Sequence, residues 1–308
     1  MRTAFIQTLC ELAERDQRIW LLNGDLGYSV LEVFAQRFPG RYLNAGVAEQ
    51  NMTGIAAGLA LSGKIVFTYS IANFPVMRCL EQIRNDVCYH DLNVKIVAVG
   101  GGLAYGAAGY THFAVEDLAV MRALPNMTVL APGDPVETRL ATRAAAAWQG
   151  PCYLRLGKAG EPVVHATEPA FEIGKAISLR TGSDVTLIST GGMLKRMSEV
   201  ASALGAEGIS AGVLSMPTVK PLDVNAVREA ATRTRLLYVA EEHRETGGLA
   251  DAVARLLAEE ERGAVMMSGD LRDLGQGAVI GSQGYLVERA GLGVERICAA
   301  IRERLGTV

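Results

Sequence analysis

Apolar residues recur at helical spacing across residues 2–15. The apolar run 19–22 that follows, stopped by Asn23-Gly24-Asp25, reads as a strand. This alternation continues down the chain. Helical stretches are expected at 30–37, from Glu49 through 53–60, at 76–88 and 114–124, and from the turn Ala131-Pro132-Gly133-Asp134 through Ala147. Short strands are expected at 42–44, 64–69, 94–99 and 128–130. Between 148 and 182 helical spacing fades and Gly and Pro accumulate, with Arg155 ending one short strand, so this stretch reads as a crossing between domains. From residue 184 the alternation restarts, with strands at 185–189, 211–214, 236–240 and 264–267 and helices at 194–204, 224–231, 248–257 and 294–305.

Strands alternating with helices predict an α/β fold with a mostly parallel sheet. The restart predicts two doubly wound domains: residues 1–165, a linker at 166–182, and a smaller domain at 183–308. Ligands in such sheets bind beyond the carboxyl ends of strands. Glu49, Phe74, Gly100-Gly101-Gly102 and Asp134 all fall at such places.

Composition narrows the class. With 49% hydrophobic and 20% charged residues in 308, a sizeable core forms and disorder is not expected. The net charge of -3 is spread over the chain, and no basic block reads as a nucleic-acid footprint. Lys64 interrupts the best candidate for a membrane span, and the first residues carry Glu11, Glu14, Arg15 and Asp16 in place of a signal sequence. A cytoplasmic protein with neither nucleic-acid nor membrane partner is expected. The five cysteines are scattered, with no C-x-x-C pair, which speaks against a disulfide framework or a zinc site; no metal ligand is assigned.

Candidate chemistry centres on Asn44-Ala45-Gly46-Val47-Ala48-Glu49-Gln50-Asn51-Met52. Glu49 starts a helix of small residues among apolar neighbours. It is either an ordinary acid at the positive end of a helix or a buried carboxylate, which must find a hydrogen-bond partner. Phe74, in a strand-to-helix loop, is either a core plug or a stacking surface for a planar heterocycle. His112, in a glycine-rich loop, is a structural histidine or a proton donor. Arg155 is a surface ion pair or an anion clamp. Gly100-Gly101-Gly102 lacks the helix that a dinucleotide fingerprint needs and reads as a close-packed loop. Glu241-Glu242-His243 before Gly247-Gly248 looks like a helix entry.

The stretch Asn44–Met52 matches N-x-G-[IV]-x-E-x-x-M and resembles the pyrimidine-binding part of transketolase-like, thiamine diphosphate-dependent enzymes. The resemblance continues through Ser70-Ile71-Ala72-Asn73-Phe74, Glu81-Gln82-Ile83-Arg84, Gly109-Tyr110-Thr111-His112, Ala131-Pro132-Gly133-Asp134 and Tyr153-Leu154-Arg155. It runs into a C-terminal domain with Glu241-Glu242-His243 and Thr246-Gly247-Gly248-Leu249, and so covers nearly the whole chain. It implies a pyrimidine-binding domain followed by a transketolase C-terminal-like domain. It implies that Glu49 hydrogen-bonds N1′ of the cofactor's aminopyrimidine, that Phe74 stacks on that ring, and that Ile71 and Met77 line the same pocket. His112 is implied to stand near the reacting carbonyl as a catalytic and substrate-binding group, and Arg155, with Ser29 as a second candidate, to contact a substrate phosphate.

An absence completes this expectation. The family holds its diphosphate and Mg²⁺ with a G-D-G motif, and none occurs here: Gly24-Asp25, Gly133-Asp134 and Gly269-Asp270 continue with Leu26, Pro135 and Leu271. The chain thus looks like the C-terminal half of a split transketolase. It is expected to be inactive alone and to pair with an N-terminal diphosphate-binding subunit, as an α2β2 heterotetramer acting on small sugar substrates. The β subunit of a 2-oxoacid dehydrogenase and a deoxyxylulose phosphate synthase-like carboligase are the alternatives. Ala108 and Gly100 depart from substrate-contacting residues of the family, so the acceptor need not be a standard sugar phosphate.

Overall fold

A computed structural model describes residues 1–260, 265–274 and 279–307. In the N-terminal region the strands are β1 (Ile19–Asn23), β2 (Tyr42–Asn44), β3 (Ile65–Ile71), β4 (Val94–Val99), β5 (Thr128–Leu130) and β6 (Cys152–Leu156). Then follow β7 (Ile177–Arg180), β8 (Val185–Ser189), β9 (Ala211–Ser215), β10 (Thr218–Lys220), β11 (Leu236–Ala240) and β12 (Val265–Gly269). The first sheet runs in the order β10-β5-β6-β4-β3-β1-β2 and the second in the order β12-β11-β8-β9-β7. Neighbours are parallel except β10 with β5 and β7 with β9, each at a sheet edge. The α/β class with two mostly parallel sheets is as the alternation predicts. Parallel strands must be covered on both faces, and β3, β4, β6, β8, β9 and β11 are buried almost throughout.

Several elements differ from expectation. Residues 177–180, expected in the linker, form edge strand β7, because Ile177 and its neighbours pair with the open edge of β9. Strand β10 leaves the C-terminal region to close the β5 edge of the first sheet, so the two units share a sheet. A three-residue strand is too short to announce itself by alternation. The helix expected at 76–88 is broken into Asn73–Met77, Leu80–Gln82 and a wider π-type turn Ile83–Cys88, a helical irregularity frequent near functional sites. The helix expected at 114–124 is confined to Asp117–Ala123, and Gln283–Arg289 is an additional helix. Ala264, the first residue of the strand expected at 264–267, lies outside the described residues.

One apolar cluster joins the two sheets, with Leu22, Val66, Ile96 and Val129 of the first packed together with Ile188, Leu214, Leu237 and Val253 of the second region. The five cysteines are free and buried. Among the described residues no helix is long and apolar enough to cross a membrane.

Candidate active site

The carboxyl ends of β1, β2 and β3 set the position of Glu49. Asn44, the last residue of β2, accepts from the backbone N–H groups of Asp25 and Gly46 and donates to the Asp25 carboxylate. This ties the β1 turn to the β2 turn. Gly46 takes φ 71°, a left-handed conformation that glycine adopts freely, and the chain then enters the helix Glu49–Leu61. Glu49 is thereby turned inward at the positive end of that helix, with its side chain only 4% exposed. A Cβ on Gly24 would stand 3.4 Å from Glu49 Cγ and 3.7 Å from Ser70 Oγ, so glycine leaves this cradle open. Ser70 Oγ is itself buried without a hydrogen-bond partner.

The partner of the buried carboxylate is Arg78, which the sequence reading did not single out. Its Nη1 donates to both Glu49 oxygens at 2.9 and 3.0 Å, while the arginine side chain remains 48% exposed. The same guanidinium lies 4.2 Å from the centre of the Phe74 ring. Arg78 is the C-cap of the short helix Asn73–Met77, so one turn presents Phe74 and Arg78 side by side. The signal for it was the spacing of four residues between an aromatic and a cation, which brings two side chains together on a helix.

His112 ends the 3₁₀ turn Tyr110–His112. Its ring stands edge-on to Phe74 with centroids 5.2 Å apart, and its Nδ1 is 2.9 Å from Thr111 Oγ1. Asn73 Nδ2 donates to Thr111 O at 2.8 Å, tying the Phe74 turn to the His112 turn. The loop carrying His112 is fixed at its stem by the Gly102–Ala114 bridge. Between these elements lies a cavity of about 560 Å³ lined by Asn73, Phe74, Met77, Arg78, Tyr110 and Thr111, among others. A second, of about 450 Å³, is lined by Val47, Ala48, Glu49, Gln50, Asn51 and Arg78. Arg78 belongs to both and stands as the wall between them. Glu49, Phe74, Met77 and His112 are thus brought into one neighbourhood, with Ile71 half-buried at the end of β3 where the chain turns toward Phe74.

Arg155 and Ser29 lie elsewhere. Arg155 is 4% exposed and ion-paired. Its Nε and Nη2 donate to the Asp117 carboxylate at 2.8 and 3.0 Å, and Nη2 also donates to the carbonyls of Ala114 and Glu242. It borders a separate small cavity with Gly101, Gly191, Glu161 and Glu242. Tyr153 also donates to Asp117, at 2.6 Å. Ser29 has φ 62° and lines a surface groove with Thr3, Ile6 and Gln7. Asp134 caps the helix Pro135–Ala147, accepting from Glu137 N at 2.7 Å, and its other oxygen accepts from the backbone of Val164 and His165. Glu241 accepts from Leu249 N and Ala250 N at a helix start, as the helix-entry reading expects. Glu242 accepts from Leu103 N at 3.0 Å and so reaches the glycine-rich loop from the second region.

Two family models and several relatives match the chain. The family model of the transketolase pyrimidine-binding domain matches residues 1–160, and that of the transketolase C-terminal domain matches residues 174–297. A putative transketolase C-terminal section from Methanocaldococcus jannaschii is 38% identical over 99% of this chain and 96% of its own length. A 6-deoxy-6-sulfo-D-fructose transketolase subunit from a Clostridium species is 38% identical over 98% of this chain and 94% of its own length. Among solved structures, a split-gene transketolase described as an inactive beta4 tetramer superposes with a TM-score of 0.89 at 40% identity, covering 99% of this chain and 97% of that one. A transketolase from Pichia stipitis shares the fold, with a TM-score of 0.79 at 19% identity over 99% of this chain and 46% of that one. The chain belongs to the transketolase family, whose enzymes depend on thiamine diphosphate, and carries that family's pyrimidine-binding and C-terminal domains.

Proposed function

We propose that this chain is the C-terminal subunit of a split transketolase, supplying the pyrimidine half of a thiamine diphosphate site and moving a two-carbon ketol unit from a ketose to an aldose. The observation that carries the reading is the pairing of a buried carboxylate, Glu49, with an aromatic face, Phe74, through a single half-exposed cation, Arg78. These residues fit an aminopyrimidine. Glu49 offers a buried acceptor beside an unpaired hydroxyl, Phe74 a stacking face, and Arg78, 48% exposed, has solvent to swing into when the ring enters. Met77 and Ile71 contribute the apolar wall.

Bound there, thiamine diphosphate supplies a nucleophilic carbon able to carry the ketol unit. Glu49 would share a proton with a nitrogen of the pyrimidine, and its burial would limit competition from water for that proton. Phe74 orients the ring by stacking. His112, edge-on to Phe74, donates a proton to, or hydrogen-bonds, the oxygen of the reacting carbonyl. Arg155 and Ser29 are proposed contacts for an anionic end of the substrate. For Arg155 this role falls to Nη1, the guanidinium nitrogen outside its bonds to Asp117, Ala114 and Glu242. The diphosphate and Mg²⁺ fall to a partner subunit, with the pair assembling as α2β2 in the cytoplasm.

The test is reconstitution with a diphosphate-binding partner, using thiamine diphosphate, Mg²⁺ and a panel of ketoses. The pair is expected to transfer ketol units and the isolated chain is not. Glu49→Ala in the pair should lower kcat by about 100-fold or more, in the range for loss of a positioned acid–base group. Undiminished turnover by Glu49→Ala removes this residue from the mechanism, and robust transfer by the isolated chain removes the partner. Release of CO₂ from a 2-oxoacid donor favours instead the reading as a 2-oxoacid dehydrogenase β subunit or a deoxyxylulose phosphate synthase-like carboligase.

A further inference from the structure

Glu241-Glu242-His243 follows β11 at its carboxyl end. Glu241 serves a helix start within its own region. The residues after it reach across to the region of the first sheet. Glu242 is only 6% exposed. Its carboxylate accepts from Leu103 N at 3.0 Å and from Gln283 Nε2, at 3.0 Å to each oxygen. Its carbonyl accepts from Arg155 Nη2. His243 Nε2 accepts from Ala119 N at 3.3 Å, and Arg244 N donates to Val115 O at 2.8 Å. One turn of the second region thus grips the chain on both sides of the loop 103–113, which carries His112.

That loop has little slack. Its stem closes through Gly102 N to Ala114 O at 2.9 Å and Ala114 N to Gly102 O at 3.0 Å. Two short 3₁₀ turns, Gly106–Ala108 and Tyr110–His112, fill it, so a shift at Leu103 is carried on to His112. The approach from the second region is close. A Cβ on Gly102, which takes φ 65°, would stand 2.5 Å from Glu242 Oε2, and one on Gly106 2.4 Å from Gly281 O. A carboxylate this buried is costly unless its donors stay in place, which makes the bond to Leu103 N a fixed attachment.

We propose that Glu242 is a positioning residue for ketol transfer. It holds the loop by Leu103 N so that the His112 ring faces the reacting carbonyl oxygen, and Gln283 orients its carboxylate. This rests on the ketol-transfer reading above. It gives the C-terminal region a part in the chemistry, although among the described residues that region lines neither cavity beside Glu49 and Phe74. Misplacing a catalytic group by about 1 Å costs about 100-fold in rate, so an anchor remote from the cofactor still governs turnover.

The experiment uses Glu242→Gln in the full chain, alone, together with Gln283→Glu, and together with His112→Ala. Glu242→Gln sets an amide donor against Leu103 N or Gln283 Nε2. It should lower kcat of the reconstituted pair about 10-fold or more, leave thiamine diphosphate affinity within about two-fold, and speed amide hydrogen exchange across residues 103–113 of the isolated chain. Adding Gln283→Glu gives each donor an acceptor again and should recover most of both losses. In the His112→Ala background Glu242→Gln should cost less than about two-fold more, because residues that act as one unit are not additive. Should Glu242→Gln fail to fold, Gln283→Met, which removes only the orienting donor, is put to the same tests and should show a smaller fall that also vanishes in the His112→Ala background. An unchanged kcat, no recovery in the exchanged pair, or falls of equal size with and without His112 overturn the proposal. A wild-type pair that transfers to no acceptor overturns the ketol-transfer reading and this inference with it. Transfer by the wild type with additive losses overturns the inference alone.

Discussion

Arg78 compresses the physics of the site into one side chain. A carboxylate as buried as Glu49 is costly unless charged or polar groups meet it. Here one guanidinium meets it while also covering the Phe74 face, the two interactions that an aminopyrimidine would make in its place. On the proposed reading, cofactor binding competes with this internal ligand, and the apparent affinity is then reduced by the fraction of molecules in which Arg78 is closed. Arg78→Met is expected to tighten thiamine diphosphate binding to the reconstituted pair by about ten-fold, while lowering the melting temperature of the cofactor-free chain because Glu49 loses its partner. Arg78→Lys should show a smaller effect of both kinds. Calorimetric titration with thermal melts checks this; weaker binding by Arg78→Met would mean that the guanidinium assists the cofactor instead of standing in for it.

At the scale of elements, loops are positioned by polar side chains buried under them. The helix Pro135–Ala147 starts at Asp134, whose second oxygen also holds the backbone of residues 164 and 165. Glu137, fully buried one turn in, accepts from Gly133 N and meets His165 Nε2 at 2.8 Å. The bond to Glu137 is the main cause that raises the His165 pKa above its ordinary 6.5, against the opposing effect of burial, with the Glu137 and Asp134 charges adding to it. A histidine whose pKa is higher folded than unfolded lends stability that is fully present below about pH 6.5 and is lost as pH rises through the folded value. Urea midpoints should therefore fall between about pH 6.5 and the alkaline side of neutrality, and His165→Gln should flatten that fall. A wild-type profile no steeper than that of His165→Gln would show that the clasp does not titrate with folding.

For the molecule as a whole, the two sheets are mechanically one object. Strand β10 closes the β5 edge of the first sheet from the far side of the second sheet's first strands, and one apolar cluster spans both. A chain ending near residue 172 would lose β10 and expose both an unpaired strand edge and apolar surface, the combination that leads to association between chains. We expect such a fragment to aggregate or to elute as large species in size-exclusion chromatography while the full chain stays discrete. A monodisperse, folded fragment would show that residues 1–172 form an independent domain and that the shared edge is dispensable.

How much was legible in the residues follows from range. Helix and strand periods are local properties, so the order of the main elements, the two mostly parallel sheets and the places of Glu49 and Phe74 just after strands could be read along the chain, although Phe74 falls in a short helix and not in the loop expected. The resemblance around Asn44–Met52 named the chemistry, because a pattern of small residues, a glycine and one acid survives in the letters themselves. Edge strands β7 and β10 could not be read, since three or four residues acquire strand character only when a neighbouring edge receives them. Nor could Arg78: its guanidinium is assigned to Glu49 by a contact between residues 29 positions apart. Arg155 makes the same point, for a strand-end cation becomes an internal partner of Asp117 only once the chain has folded around it. By itself the sequence determined the order of the main elements and the family resemblance that nominates Glu49, Phe74 and His112. The tertiary structure alone decided which charges meet and which strand closes which sheet, because those outcomes depend on distances that folding sets and sequence spacing does not.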